Sequence, residues 1–168
     1  MPFIRPIREF RTIRQLLGRA ARLAQESGEA VPGAEHLLLA ALALPDGTAR
    51  RAFERLDVDP TGLPAAIASQ HADALGAVGI DFGESGPFDV PAPPGRGPFR
   101  ATPAAQAAFQ RAVELSGTPK PRRLLGAHVV VAIAEMEHGS AARALRKMGV
   151  ERAQLAAAAR EELGLAGG

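Results

Sequence analysis

The chain has 168 residues, of which 46% are hydrophobic and 23% charged, and its formal charge is +2 at pH 7. This is enough chain for one compact domain or for two small halves that share a core. The absence of cysteine excludes disulfides and thiolate metal sites. No stretch approaches the roughly 20 apolar residues that span a bilayer, and no signal peptide is recognisable, so a cytoplasmic location without a membrane partner is the default expectation.

The N-terminal region combines a short lead-in with the first predicted helix. Prolines at 2 and 6 are expected to keep residues 1–11 out of regular structure. Apolar residues then recur at helical spacing from residue 12 to about residue 27, and Gly28 fits the stop of this helix. The arginines of this region are interpreted as a solvated basic face, with an anion-binding face as the alternative. They are Arg5, Arg8, Arg11, Arg14, Arg19 and Arg22.

Three further helices complete the first half of the chain. Their predicted spans are 33–44, 48–56 and 60–75. Continuous leucines make the first of these a central helix rather than a surface helix. Asp46 and Asp59 precede the other two helices and are predicted to cap them.

Residues 76–101 are predicted to be a linker, since six glycines and five prolines exclude regular structure. The linker also carries five apolar residues that would be costly to expose together, because full burial of each contributes about 1.5–3 kcal/mol. We therefore expect the linker to lie against the helices. These residues are Ile80, Phe82, Phe88, Val90 and Phe99.

The second half is predicted to contain four helices, at 102–116, 126–137, 140–148 and 151–163. Thr102 precedes a proline and is expected to cap the first of them.

A repeated pattern relates the two halves. The stretch 33–58 returns at 125–150, and the histidines at 36 and 128 show the constant spacing of 92 residues. So many matches at one spacing indicate a tandem duplication. Other matched pairs are Gly47 with Gly139, Ala49 with Ala141, Arg51 with Arg143, Ala52 with Ala144, and Val58 with Val150.

The predicted fold is therefore all-α. Two tandem four-helix repeats, at 12–75 and 102–164, are expected to form one eight-helix bundle with pseudo-two-fold symmetry.

These residues resemble the Clp N-terminal domain, or Clp repeat domain, of ClpA- and ClpC-type AAA+ unfoldases. The resemblance is carried by Ala34, Glu35 and His36 at a helix start, followed by leucines and by an Asp-Gly turn. The second copy keeps His128 and ends on Gly149 and Val150. The resemblance implies an eight-helix bundle that sits on the unfoldase ring and receives adaptors and substrates. In ClpC-type members it also implies binding of phosphoarginine, a degradation mark, and of antibacterial cyclic peptides.

The resemblance also implies which residues bind phosphoarginine. In the first repeat they are Glu35, which would accept the guanidinium, and Thr12, which would help to hold the phosphate. In the second repeat Thr102 matches, but Ala127 replaces the carboxylate. We therefore expect one working pocket and one degenerate pocket; the alternative is that Glu35 is a helix-start charge and the threonines are caps.

Other chemistry finds little support in the sequence. There is no Gly-x-x-x-x-Gly-Lys-Ser/Thr loop, so the nucleotide-binding modules of an unfoldase are missing from this sequence. The starting methionine and glycine-rich end favour a stand-alone protein over a fragment. No histidine pair has metal-ligand spacing, and His36 and His128 are interpreted as packing or capping residues.

The function predicted from the sequence is a non-catalytic binding module without cofactor. It would bind Clp adaptors, marked substrates or cyclic peptides, and as a free protein it would act as a decoy for a Clp unfoldase. The alternatives are an interaction protein that binds nucleic acid through the basic first helix, and an ATP-independent holdase. The sequence shows no regular interleaving of basic and aromatic residues that would support nucleic-acid binding.

Overall fold

The computed structural model describes residues 5–78, 100–117 and 123–164. Within these ranges the chain forms eight α-helices and no strand, which confirms the predicted all-α class. The helices are α1 (Arg5–Glu26), α2 (Ala34–Leu42), α3 (Thr48–Glu54), α4 (Leu63–Val78), α5 (Pro103–Gly117), α6 (Gly126–Ala134), α7 (Ser140–Lys147) and α8 (Arg152–Glu162).

The first helix begins earlier than predicted. α1 starts at Arg5 instead of Thr12, so most of the expected lead-in is helical. Pro6 lies in the first turn, where a backbone N–H has no helical partner, and a proline there does not interrupt the helix.

The end of the first half also differs from the prediction. A short 3-10 turn at Pro60–Gly62 precedes α4, and α4 continues to Val78, three residues into the predicted linker. The linker positions 79–99, with the apolar residues expected to pin it, lie outside the described residues.

The predicted helix ends have the expected local chemistry. Gly28 adopts a φ of 76° after α1, a backbone conformation that favours glycine. Asp59 accepts a hydrogen bond from the Thr61 N–H at 2.9 Å, and Thr102 Oγ1 accepts one from the Ala105 N–H at 3.2 Å. Both residues therefore cap the helices that follow them.

The two helices that carry the repeated histidine pattern form the centre of the core. All nine residues of α6 are buried, as are most residues of α2. The two helices pack against each other. Gly126 makes this close approach possible, because a Cβ at this position would lie 2.9 Å from the carbonyl oxygen of Ala41 and equally close to Ala49 Cβ.

The last helix of each half packs against the other half. α4 contacts α7, and α8 contacts both α3 and α6. Arg51 of α3 and Arg55, which directly follows α3, donate to the carboxylate of Glu162 in α8 at 2.9 and 2.6 Å. The two halves therefore share one core. Their helices follow one another in the same order, while the exact two-fold symmetry stays a prediction.

Candidate functional site

The N-terminus of α2 is capped by a histidine of its own first turn. The Gly33 N–H donates to Nδ1 of His36 at 3.0 Å, and the Leu125 N–H donates in the same way to Nδ1 of His128 at 2.9 Å. Each histidine satisfies a backbone donor that the helix leaves free. The capping interpretation of these two residues is confirmed.

Glu35 lies in the first turn of α2, where the helix dipole favours a carboxylate. Only 7% of its side chain is exposed, and its Oε1 lies 3.8 Å from Nδ1 of His36. The carboxylate folds over Gly33, where a Cβ would approach it to 2.6 Å. A ligand guanidinium would therefore have to open a covered pocket in order to reach Glu35.

The two predicted threonines occupy different environments. Thr12 is buried on α1, whereas Thr102 is half-buried and caps α5. The Thr102 N–H donates to the Pro32 carbonyl at 3.0 Å, which brings Thr102 next to the loop that leads to Glu35. The pairing of Thr12 with Glu35 in one pocket stays a prediction.

The start of α6 is occupied by residues of the first half. The Ala127 N–H donates to Thr48 Oγ1 at 2.8 Å, and the Gly126 N–H points at both carboxylate oxygens of Asp46 at 3.2 and 3.3 Å. Asp46 also accepts from the Thr48 N–H at 2.9 Å. Ala127 is fully buried. The position predicted to be a degenerate pocket is thus a packed junction between the two halves.

Sequence reasoning identified Asp46 as a local cap and missed its bond across the halves. The sequence carried one signal, which is a difference between the two repeats at this turn. The first repeat reads Asp46, Gly47, Thr48, whereas the second reads His138, Gly139, Ser140 at the same positions.

An open groove lies between α1, α2 and the start of α4. It has a volume of about 980 Å³. Its apolar walls are formed mainly by Leu23, Leu39, Leu42 and Ile67. The first three are half-buried, so they present apolar surface to the groove.

Charged residues border the same groove. Arg19 and Glu26 of α1 and Arg50 of α3 line it and are exposed. His36 is the one capping histidine that lines it. None of the four residues predicted for phosphoarginine binding belongs to its lining. Apolar walls with a few convergent polar groups are typical of ligand sites.

Two classes of site find no support in the described part of the chain. Residues 5–78, 100–117 and 123–164 contain no group of three or more His, Cys, Asp or Glu residues that could hold a metal ion. Within the same ranges no helix is long and apolar enough to cross a membrane.

The described residues form an all-helical module with an open groove. Residues 11–82, fewer than half of the chain, match the family model of the Clp repeat (R) N-terminal domain. The match confirms the resemblance seen in the first half of the sequence. No curated protein matches the chain.

Proposed function

We propose that the chain is a non-catalytic protein- or peptide-binding module that serves a Clp unfoldase. Its ligands would be Clp adaptors, phosphoarginine-marked substrates or cyclic-peptide inhibitors. The observation that carries this proposal is the groove on the family-matched half, where half-buried leucines stand between charged rims. Apolar surface that is not sealed in the core gains free energy when a ligand covers it.

Phosphoarginine would bind at one site, in the first repeat. The Glu35 carboxylate can accept a guanidinium in a two-bonded fork, and such charged hydrogen bonds contribute about 1.5–3 kcal/mol. Ala127 offers no carboxylate, and the neighbouring backbone donors already bond to Thr48 and Asp46.

Calorimetry with phosphoarginine tests this site. We expect one site per chain and an affinity that falls at least about tenfold in Glu35→Ala, which corresponds to about 1.4 kcal/mol. Glu35→Gln keeps the shape and removes the charge, and exposed Glu54→Gln is the matched control. Two equal sites, or an unchanged affinity in Glu35→Ala, would contradict the assignment.

As a free protein the module would act as a decoy that lowers the ligand available to the unfoldase. The test mixes it with a Clp unfoldase and a cyclic-peptide inhibitor. We expect the unfoldase to be protected when the module is in molar excess. Failure to protect at a concentration that saturates direct binding would count against the decoy role.

The basic face of α1 favours a second candidate, binding to nucleic acid. Arg11, Arg14 and Arg22 are exposed on this helix, and the structure shows no ion pair for them within the described residues. Phosphate contacts would make the affinity fall steeply with salt. Titration of a duplex DNA at two salt concentrations tests this candidate, and absence of binding at low salt would remove it.

A further inference from the structure

His36 lines the groove and carries a hydrogen-bond donor that no described residue uses. Its Nδ1 accepts from the Gly33 N–H, so the proton of the neutral ring is carried by Nε2. No described residue bonds to Nε2, although His36 is only 1% exposed. Among the described residues no side-chain nitrogen or oxygen is both sealed from solvent and without a partner. Nε2 is therefore not fully sealed, and His36 is one of the residues that line the groove.

The α1 wall of the groove carries opposite charges at its two ends. Arg19 and Glu26 are seven residues apart, so they lie on the same face about 10 Å from each other. Leu23 lies between them on that face. The structure shows no partner for Arg19 or Glu26 within the described residues. A cation, an apolar surface and an anion therefore follow one another along this wall.

This pattern is complementary to a peptide with the reverse order of charges. An extended chain rises about 3.3 Å per residue and places alternate side chains on one face, so three alternate residues, about 13 Å from first to last, cover the distance from Arg19 to Glu26. A carboxylate at one end, an apolar side chain in the middle and a cation at the other would match the wall. A main-chain carbonyl of the same peptide can accept the Nε2–H of His36.

We propose that the groove binds a short extended peptide segment with acidic, apolar and basic residues at alternate positions, with His36 as the donor to its main chain. The inference rests on the proposed peptide-binding function and names the site and the sequence class. It places this ligand away from Glu35, so the two sites can be tested separately.

The probe is a fluorescein-labelled peptide, Gly-Asp-Gly-Leu-Gly-Lys-Gly, measured by anisotropy. Peptides with Asp-Gly-Leu-Gly-Asp, Lys-Gly-Leu-Gly-Lys or Asp-Gly-Ser-Gly-Lys at the centre are the comparison. We expect the first peptide to bind at least about threefold more tightly than each of the others, since each lacks one matched group. Equal affinities for all four peptides, or no binding of any, would overturn the inference.

Variants of the charged wall provide the second arm. Arg19→Gln and Glu26→Gln are each expected to weaken binding of the probe about two- to fivefold, because both residues are exposed and their ion pairs are screened. Arg22→Gln, exposed on α1 but outside the groove, is the matched control and should not change the affinity. Loss of affinity in Arg22→Gln equal to that in Arg19→Gln would show nonspecific attraction instead.

The role of His36 has a matched control in the second half. Asparagine can accept the backbone N–H in place of Nδ1 but has no donor at the Nε2 position. We expect His36→Asn to weaken peptide binding at least about fivefold, and His128→Asn to leave it unchanged. Both variants are first shown to be folded by their thermal transitions. Unchanged binding in folded His36→Asn would remove the donor from the proposal.

Cross-linking identifies the occupant. Ala68 is exposed and lines the groove, whereas Ala65 is exposed on α4 outside it. With p-benzoylphenylalanine at position 68, we expect light-dependent labelling of the added peptide, and much less from position 65. Labelling of the chain's own residues 79–99, or of a second copy, would overturn the inference. If phosphoarginine still binds while the peptide does not, the groove assignment fails and the proposed function stands.

Discussion

The two central helices have the same sequence pattern but different surroundings. α6 is buried along its whole length, and α8, the last helix of its half, packs closely on it. α4, the last helix of the first half, contacts α2 little because it packs mainly on α7, and Leu39 and Leu42 of α2 line the groove. The difference shows that the central helix of one half is fully packed, while that of the other half borders an open groove.

The largest expected effect concerns the junction at α6. Gly126→Ala should destabilise the fold by about 1–3 kcal/mol, because the added Cβ would meet the Ala41 carbonyl and Ala49. Gly18→Ala is the control, since it lies within α1 with nothing within 4 Å of an added Cβ. That change should stabilise by about 0.5–1 kcal/mol through helix propensity. Urea unfolding of both variants measures the change in the free energy of unfolding. A change in the same direction in both variants would contradict the tight contact at Gly126.

The next effect concerns the bonds that Asp46 makes across the halves. Asp46→Ala should cost about 1–2 kcal/mol, because it removes the acceptor for both Thr48 and Gly126. Asp59→Ala removes a similar local bond, to Thr61 at 2.9 Å, on the exposed 3-10 turn. We expect it to cost less, about 0.5–1 kcal/mol. Equal losses in the two variants would mean that the bond across the halves contributes nothing.

The smallest expected effect is a pH dependence of the free energy of unfolding that arises from His128 in the second half. Burial lowers the pKa of His128 from its ordinary value of 6.5, although the hydrogen bond from Leu125 and the charge of Asp46 oppose this. The unfolded chain therefore takes up a proton first, and the native state loses stability as pH falls below 6.5 through the folded pKa.

His128→Asn keeps an acceptor for the Leu125 N–H and does not titrate. Between pH 8 and pH 5, urea unfolding should show a smaller loss of stability in this variant than in the parent chain. The other three histidines are present in both proteins, so their contributions cancel in the difference. Parallel pH profiles of the two proteins would contradict the lowered pKa.

The sequence predicted the helices well because their ends carry strong local signals. Thr102 and Asp59 cap where expected, and the 92-residue spacing located the second set of helices. The predicted start of α1 was wrong because the proline at 6 was interpreted as a break. A proline in the first turn leaves a helix intact.

The site was less predictable than the fold. Glu35 and its neighbours were named from family resemblance, whereas the groove arises from the way α1, α2 and α4 pack. Packing of this kind depends on contacts between residues far apart in the chain, such as Asp46 with Gly126. Periodicity within one helix does not report such contacts, so the exposed Leu39 surface was not foreseen.

The most direct test of the account is a nuclear magnetic resonance titration of the labelled chain with the Asp-Gly-Leu-Gly-Lys peptide. The account predicts that backbone amide signals of α2 and of the α1 and α4 residues at the groove shift in a saturable way, with one site per chain. Signals of α6 and α8 should stay in place. Equal shifts in the two halves, or shifts confined to the second half, would contradict the claim that one repeat binds and the other is packed.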